Sequence, residues 1–219
     1  MKGLRGNAVF WWSARSVINF YAAAANYSLY LLDQRFIVLD KITERHLREL
    51  DAELQALMTR LGELDDDLLN RSPDADTWSV IQVMHHLILA EGKSMQYVRK
   101  KMHYTDKFKP ADLGSRFRTA LVCGVLRSPI KRKAPAGVSG EHLPEYATLA
   151  DTAATWRAQR DELTAFFRQL PDDIWDKQVY KHPFGGRMTL AQMLEFFRAH
   201  FATHRRQIGN TIEQLTARA

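Results

Sequence analysis

Four stretches of the sequence carry apolar residues at steps of three and four, which is the period of an amphipathic α-helix. They begin near residues 40, 78, 149 and 189, and they end near residues 64, 102, 170 and 215. No stretch shows a convincing strand alternation. Long amphipathic helices bury their apolar faces most simply against one another, so the sequence predicts an all-α fold, a four-helix bundle.

Polar and proline-containing segments separate the predicted helices. Asp76 or Thr77 is the expected N-cap of the second helix, and Thr189 is the expected N-cap of the fourth. Between the second and third helices lies a long connection, about 105–146, which could include a short helix over 113–125. We expect this long crossover to allow the second and third helices to lie parallel.

An apolar extension precedes the bundle, and we place the domain boundary between residues 1–40 and residues 41–219. Its segment 8–32 is long enough to span a membrane, but Arg15, Asn19 and Asn26 interrupt it, and we predict no membrane span. Three interpretations of this segment stay open: a packed amphipathic extension, an interfacial anchor that would give a membrane association, or translated upstream sequence without a role.

Charge and cysteine usage exclude several classes of protein. The single cysteine, Cys123, excludes an internal disulfide framework and a cysteine-rich zinc site, and it is compatible with a cytoplasmic location. The net charge is +6, with eleven basic residues against two acidic ones between Arg99 and Lys133. This segment is either a solvated surface or one that attracts an anion. Since no DNA- or RNA-binding motif accompanies it, we predict no nucleic-acid partner.

Two histidines of the fourth predicted helix lie on one face. At 100° per residue, His200 and His204 are about 40° apart on the flank of the apolar stripe. On the second helix, His86 falls on the flank of the stripe, whereas His85 is expected to face water. His-x-x-x-His on one helical face lets two imidazoles reach one metal ion. A three-histidine site is therefore plausible from geometry, with hydrogen-bonded core histidines as the alternative.

The same segments carry a family resemblance. Residues 78–87 read Trp-Ser-Val-Ile-Gln-Val-Met-His-His-Leu and are followed by Glu91. This pattern resembles the second-helix motif of the DinB-like superfamily. Residues 182–190, His-Pro-Phe-Gly-Gly-Arg-Met-Thr-Leu, lead to His200-x-x-x-His204-x-x-Gln-Ile, which looks like the entry turn and last helix of that superfamily. The resemblance covers about residues 41–216.

The resemblance implies a DinB/YfiT-like four-helix bundle with a long crossover. It also implies a divalent metal ion held by His86, His200 and His204, the same three histidines that the helical angles select. Family members include transferases and isomerases that use bacillithiol, mycothiol or glutathione, and proteins described as metal-dependent hydrolases. The apolar extension is a departure, since the family does not usually carry one.

The leading functional hypothesis is a metal-dependent thiol S-transferase whose partners are a small-molecule thiol and an electrophile. The alternatives are a metal-dependent hydrolase and a non-catalytic, metal-stabilised module that binds a small molecule or a protein. The metal would be zinc or nickel, with iron also open. Gln207 is the expected hydrogen-bond partner of a metal ligand, and Arg157 and Arg160 are candidates for binding an anionic thiol. A homodimer stays open.

Overall fold

The structure is a computed structural model that describes residues 41–128, 138–139 and 142–217. The predicted extension, residues 1–40, and its apolar segment 8–32 lie outside the described residues. So do three of the basic residues of the crossover, Lys131, Arg132 and Lys133. Among the helices of the described residues, none combines the length and the apolar character needed to cross a bilayer.

The described chain is predominantly helical, as predicted, so the all-α fold class is confirmed. The first helix, α1, covers residues 41–61, and a short helix, α2, covers Asp66–Asn70. The remaining helices are α3 (Val80–Lys101), α4 (Leu113–Arg127), α5 (Leu149–Arg168) and α6 (Leu190–Thr216). Short 3₁₀ segments at Met102–Lys107 and Asp172–Ile174 follow α3 and α5. The short helix expected in the crossover is therefore present as α4.

Side-chain caps set the start of the two helices that carry the histidines. Ser79, not Asp76 or Thr77, is the N-cap of α3: its hydroxyl accepts from the Gln82 N–H, and the Gln82 side chain accepts from the Ser79 N–H. This reciprocal capping box satisfies two backbone donors that the helix leaves free. Thr189 caps α6 in the same way with Gln192, as predicted for that residue.

The four long helices share one apolar core. Buried leucine and methionine side chains of α1 meet the apolar face of α3, and α5 and α6 close the other sides. The largest contributors to this core are Leu57, Leu61, Ile81, Met84, Leu87, Trp156 and Phe201, each at most 2 % exposed. Burial of this apolar surface is the main stabilising term of the bundle.

The core also contains an ion pair between α3 and α5. The Arg160 guanidinium donates to both carboxylate oxygens of Glu91, at 2.8 and 2.7 Å, and the Trp156 indole N–H donates to the same carboxylate at 3.2 Å. Glu91 and Arg160 are each only 2 % exposed. This ion pair joins α3 to α5, and water does not reach its charged groups.

A small hairpin precedes α6 and was not predicted. Its strands, β1 (Tyr180–His182) and β2 (Gly186–Met188), are antiparallel with Tyr180 opposite Met188. Gly186 has φ +68°, a conformation that glycine adopts without strain, so the turn reverses within a few residues. The hairpin brings His182 against the side of α6.

Candidate metal centre

Two helices bring three imidazoles together. His86 projects from the N-terminal half of α3, and His200 and His204 lie one turn apart on α6. The Nε2 atom of His200 lies 3.3 Å from that of His86 and 3.1 Å from that of His204. A ligand atom from each ring lies within 4.8 Å of the other two. The three predicted residues therefore form one cluster.

Hydrogen bonds at the opposite ring nitrogens orient two of the rings. The Nδ1 of His86 donates to the main-chain oxygen of Val138 at 2.7 Å, and the Nδ1 of His204 donates to the Gln207 amide oxygen at 2.8 Å. Both acceptors lack a proton to give, so each ring carries its hydrogen on Nδ1. The Nε2 of each therefore presents a lone pair to the centre of the cluster.

The three Nε2 atoms at the centre of the cluster share at most one proton, that of His200. Burial lowers the pKa of His86 and lowers that of His204 to about 4. Burial, together with the imidazoles of His204, His86 and His182, holds the pKa of His200 well below its usual range. All three rings are thus neutral at pH 7. Neutral His200 can donate an Nε2 proton to only one neighbour, which leaves a lone pair unsatisfied, whereas a cation accepts all three.

The spacing also suits a metal ion. At a metal–nitrogen distance of about 2.0–2.1 Å, two ligands of a tetrahedral site lie roughly 3.3 Å apart. The His86–His200 and His200–His204 separations of 3.3 and 3.1 Å agree with that value. The three histidines therefore fit a divalent cation held by nitrogen ligands. His86 is buried and His204 is half-buried, so the side of the cluster nearest to solvent is the one that α6 forms at His204.

Aromatic side chains pack around the cluster. Half-buried Trp78 lies 5.1 Å from His86 between ring centroids. Phe196, one turn before His200 on α6, stacks on that ring at 5.4 Å with an interplanar angle of 15°. These rings limit the rotation of two of the three imidazoles and reduce their contact with water.

His182 is a further neighbour of the cluster, and its sequence pattern indicated only a turn before the last helix. Its ring lies edge-on to Phe196 at 4.5 Å, and its Nδ1 accepts from the N–H groups of Phe184 and Gly185. Burial lowers its pKa to about 4. The hairpin places His182 against α6. Helical periodicity therefore could not identify this histidine, and the sequence signal for its position was the His-Pro-Phe-Gly-Gly turn.

The prediction that His85 faces water is wrong. His85 is half-buried, and its Nε2 lies 3.2 Å from the Thr152 hydroxyl on α5. The angular position of a residue around its own helix shows whether it lies on the apolar stripe. It does not show how far a neighbouring helix extends over that residue. His85 therefore contributes to helix packing while His86 faces the cluster.

The structure separates the remaining candidate residues. Gln207 contacts a ring of the cluster, as expected. Arg160 is buried and engaged by Glu91, and we assign it a structural role. Arg157 is exposed on α5 and donates to the Gln55 side chain on α1 at 3.4 Å. Neither arginine contacts any of the three histidines through a hydrogen bond between described residues.

Fold and site together define a helical bundle protein with a three-histidine cluster that can hold a metal ion. The sequence of residues 49–208 matches the DinB superfamily, and the chain belongs to that superfamily. The chain is also similar to a curated protein of Bacillus subtilis (strain 168) called Uncharacterized protein YuaE. The two are 26% identical over 155 residues, which cover 71% of this chain and 90% of that relative. No solved structure matches the chain significantly.

We expect Gln207→Ala to weaken metal binding by roughly 10- to 100-fold, because the His204 ring loses the acceptor that fixes its orientation. The measurement is a competition titration with a chromogenic zinc chelator. Gln207→Glu is the matched control, since a carboxylate at this position still accepts from Nδ1. An affinity unchanged in Gln207→Ala would contradict the proposed positioning role.

Proposed function

We propose that this chain is a cytoplasmic, divalent-metal-dependent enzyme of the thiol S-transferase type. It would join the sulfur of a low-molecular-weight thiol to a small-molecule electrophile. The observation that supports this proposal most directly is the convergence of three neutral imidazoles, two of them oriented by hydrogen bonds at the distal nitrogen. Membership of the DinB superfamily supports it independently.

The donor set decides the chemistry that this site favours. Three neutral nitrogen ligands leave the full charge of a divalent ion uncompensated, in contrast to thiolate or carboxylate ligands. When bound, such an ion would supply Lewis acidity that lowers the pKa of a substrate thiol from its ordinary value of ~8.5. Imidazole ligands suit zinc and nickel, and also iron.

The protein residues contribute binding and orientation. His86 and His204 are held in one tautomer by Val138 and Gln207, so their lone pairs are directed inward without a rearrangement. Trp78 and Phe196 provide apolar surface beside the cluster, which favours an apolar electrophile next to the sulfur. The half-buried side at His204 is the approach that we assign to both substrates.

The test is a conjugation assay with monochlorobimane, an electrophile that becomes fluorescent when it reacts with a thiol. The purified full-length protein would be incubated with bacillithiol, mycothiol, glutathione, cysteine or coenzyme A in parallel. We expect acceleration with at least one thiol. Stripping the metal should abolish this acceleration, and adding back zinc or nickel should restore it.

The other outcomes identify the alternatives. Metal-loaded protein that accelerates no conjugation but hydrolyses ester or amide substrates would be a hydrolase, and the transferase proposal would be wrong. Metal-loaded protein without either activity would be a binding module. A conjugation rate that is the same with and without metal would contradict the role of the histidine cluster.

A further inference from the structure

The exposed face of α4 is apolar. Four large side chains at intervals of four residues point away from the bundle: Leu113 (82 % exposed), Phe117 (70 %), Leu121 (56 %) and Val125 (36 %). The fully buried residues on the packed side are smaller and more polar, namely Ser115, Thr119 and Cys123. Four of the six large apolar side chains of this helix thus lie on the outside, and the other two, Val122 and Leu126, are half-buried.

An ordinary surface helix presents polar side chains to solvent, whereas α4 presents an apolar face. At 100° per residue, the mean direction of the four exposed side chains is about 180° from that of the three buried ones. Among the described residues, four of the seven large hydrophobic side chains that are exposed belong to this one helix. A contiguous apolar patch on a folded monomer is typical of an interaction surface.

We propose that this face of α4 binds the same face of a second copy of the chain, with the two helices antiparallel. The row of four exposed apolar side chains, the stripe of α4, is self-complementary in that orientation. A two-fold axis between the two exposed faces, level with position 119 along the helix, places Leu113 against Val125 of the second copy and Phe117 against Leu121 of the second copy. The same contacts then form twice, as in an isologous interface.

The charges at the ends of α4 favour this orientation. Exposed Asp112 is the N-cap, and exposed Arg127 is the last residue. The antiparallel register brings Arg127 next to Asp112 of the second copy at both ends of the pair. A parallel pair would place each arginine beside its own equivalent, where like charges repel.

Small side chains at the edge of the stripe allow a helix to approach. Ala120 and Gly124 are exposed, and a Cβ at Gly124 would have no neighbouring atom within 4 Å. The antiparallel register pairs Asp112 of each copy with Arg127 of the other, whereas an anionic membrane would repel Asp112. A second copy therefore fits this face better than an anionic membrane.

The expected affinity is moderate. One face of a 15-residue helix covers less than the ~800 Å² per partner of a standard interface. We therefore expect a dimer with a dissociation constant on the order of micromolar, populated at the concentrations of a sedimentation experiment.

The experiment is sedimentation velocity on the metal-loaded, full-length chain over a concentration series, comparing wild type with Phe117→Lys. We expect the substitution to weaken dimerisation by at least about 30-fold, because a buried aromatic anchor becomes a charge. Tyr146→Lys is the matched control, since Tyr146 is 55 % exposed and lies outside α4. Leu121→Lys is the second test variant. Circular dichroism checks that each variant is folded.

The register has a direct test. Phe117→Cys mixed with Leu121→Cys should give a disulfide-linked dimer under mild oxidation, whereas native Cys123 is buried and would not compete. A wild-type chain that stays monomeric at all concentrations would overturn the proposal. So would a dimer that the folded Phe117→Lys and Leu121→Lys variants leave intact, which would place the interface elsewhere. A monomer that binds phosphatidylglycerol vesicles through Phe117 would replace the second copy with a membrane.

Discussion

Replacing His200 with alanine is expected to remove nearly all bound metal from the purified protein. His200 is the central member of the cluster, since its Nε2 is the atom within 3.3 Å of both other Nε2 atoms. Loss of a direct ligand should cost more affinity than the ~100-fold that marks the upper range for residues that only orient a ligand. The measurement is elemental analysis of natively purified wild type and variant.

His103→Ala is the matched control, because His103 is exposed and belongs to no metal-ligand cluster among the described residues. It should retain the metal content of wild type. Circular dichroism spectra that superimpose for the three proteins would show that the loss is local. Equal metal content in His200→Ala and wild type would contradict both the metal centre and the enzyme that we build on it.

The second large effect concerns stability. Arg160→Ala should lower the free energy of unfolding by about 3–5 kcal/mol, because it leaves the Glu91 carboxylate buried without its cation. The Trp156 indole N–H would be the carboxylate's sole remaining side-chain donor among the hydrogen bonds between described residues. Urea denaturation of the metal-free protein, followed by circular dichroism, would measure the difference.

An exposed ion pair between the same two helices provides the comparison. Arg99 and Glu162 lie 3.5 Å apart with side chains 48 % and 73 % exposed, so Arg99→Ala should cost no more than ~1 kcal/mol. The double variant Glu91→Gln/Arg160→Met should be more stable than Arg160→Ala, since it removes the unpaired charge. Equal effects of Arg160→Ala and Arg99→Ala would show that the buried pair contributes little.

The sequence alone predicts the helices and the cluster for the same reason. Helical periodicity fixes which residues share a face, and each of the three histidines lies on the flank of an apolar stripe. Two short helical segments then need only pack against each other for the rings to meet. Thr189 as the cap of α6 was predicted from the same kind of local pattern. Ser79 was not predicted, although the Ser-x-x-Gln spacing of a capping box at 79–82 is a signal that could have identified it.

Other features depend on contacts between elements and leave little local signal. Strands of three residues are too short to show alternation, so the hairpin that carries His182 was not predicted. The burial of Arg160 depends on a carboxylate of another helix, and arginine is seldom buried. The partner of His86 at Val138 is a main-chain oxygen, which every residue type possesses.

The hydrogen bond from His86 to the Val138 main-chain oxygen and the hydrogen bond from His204 to the Gln207 side chain therefore respond differently to mutation. A scan through every side chain can delete the amide of Gln207, but no ordinary substitution at Val138 removes its peptide carbonyl. The support of His86 is instead sensitive to insertions and deletions in the crossover, which would shift the backbone oxygen relative to α3. Relatives that differ in crossover length should therefore differ in how firmly they hold this histidine, even where all three ligands are present.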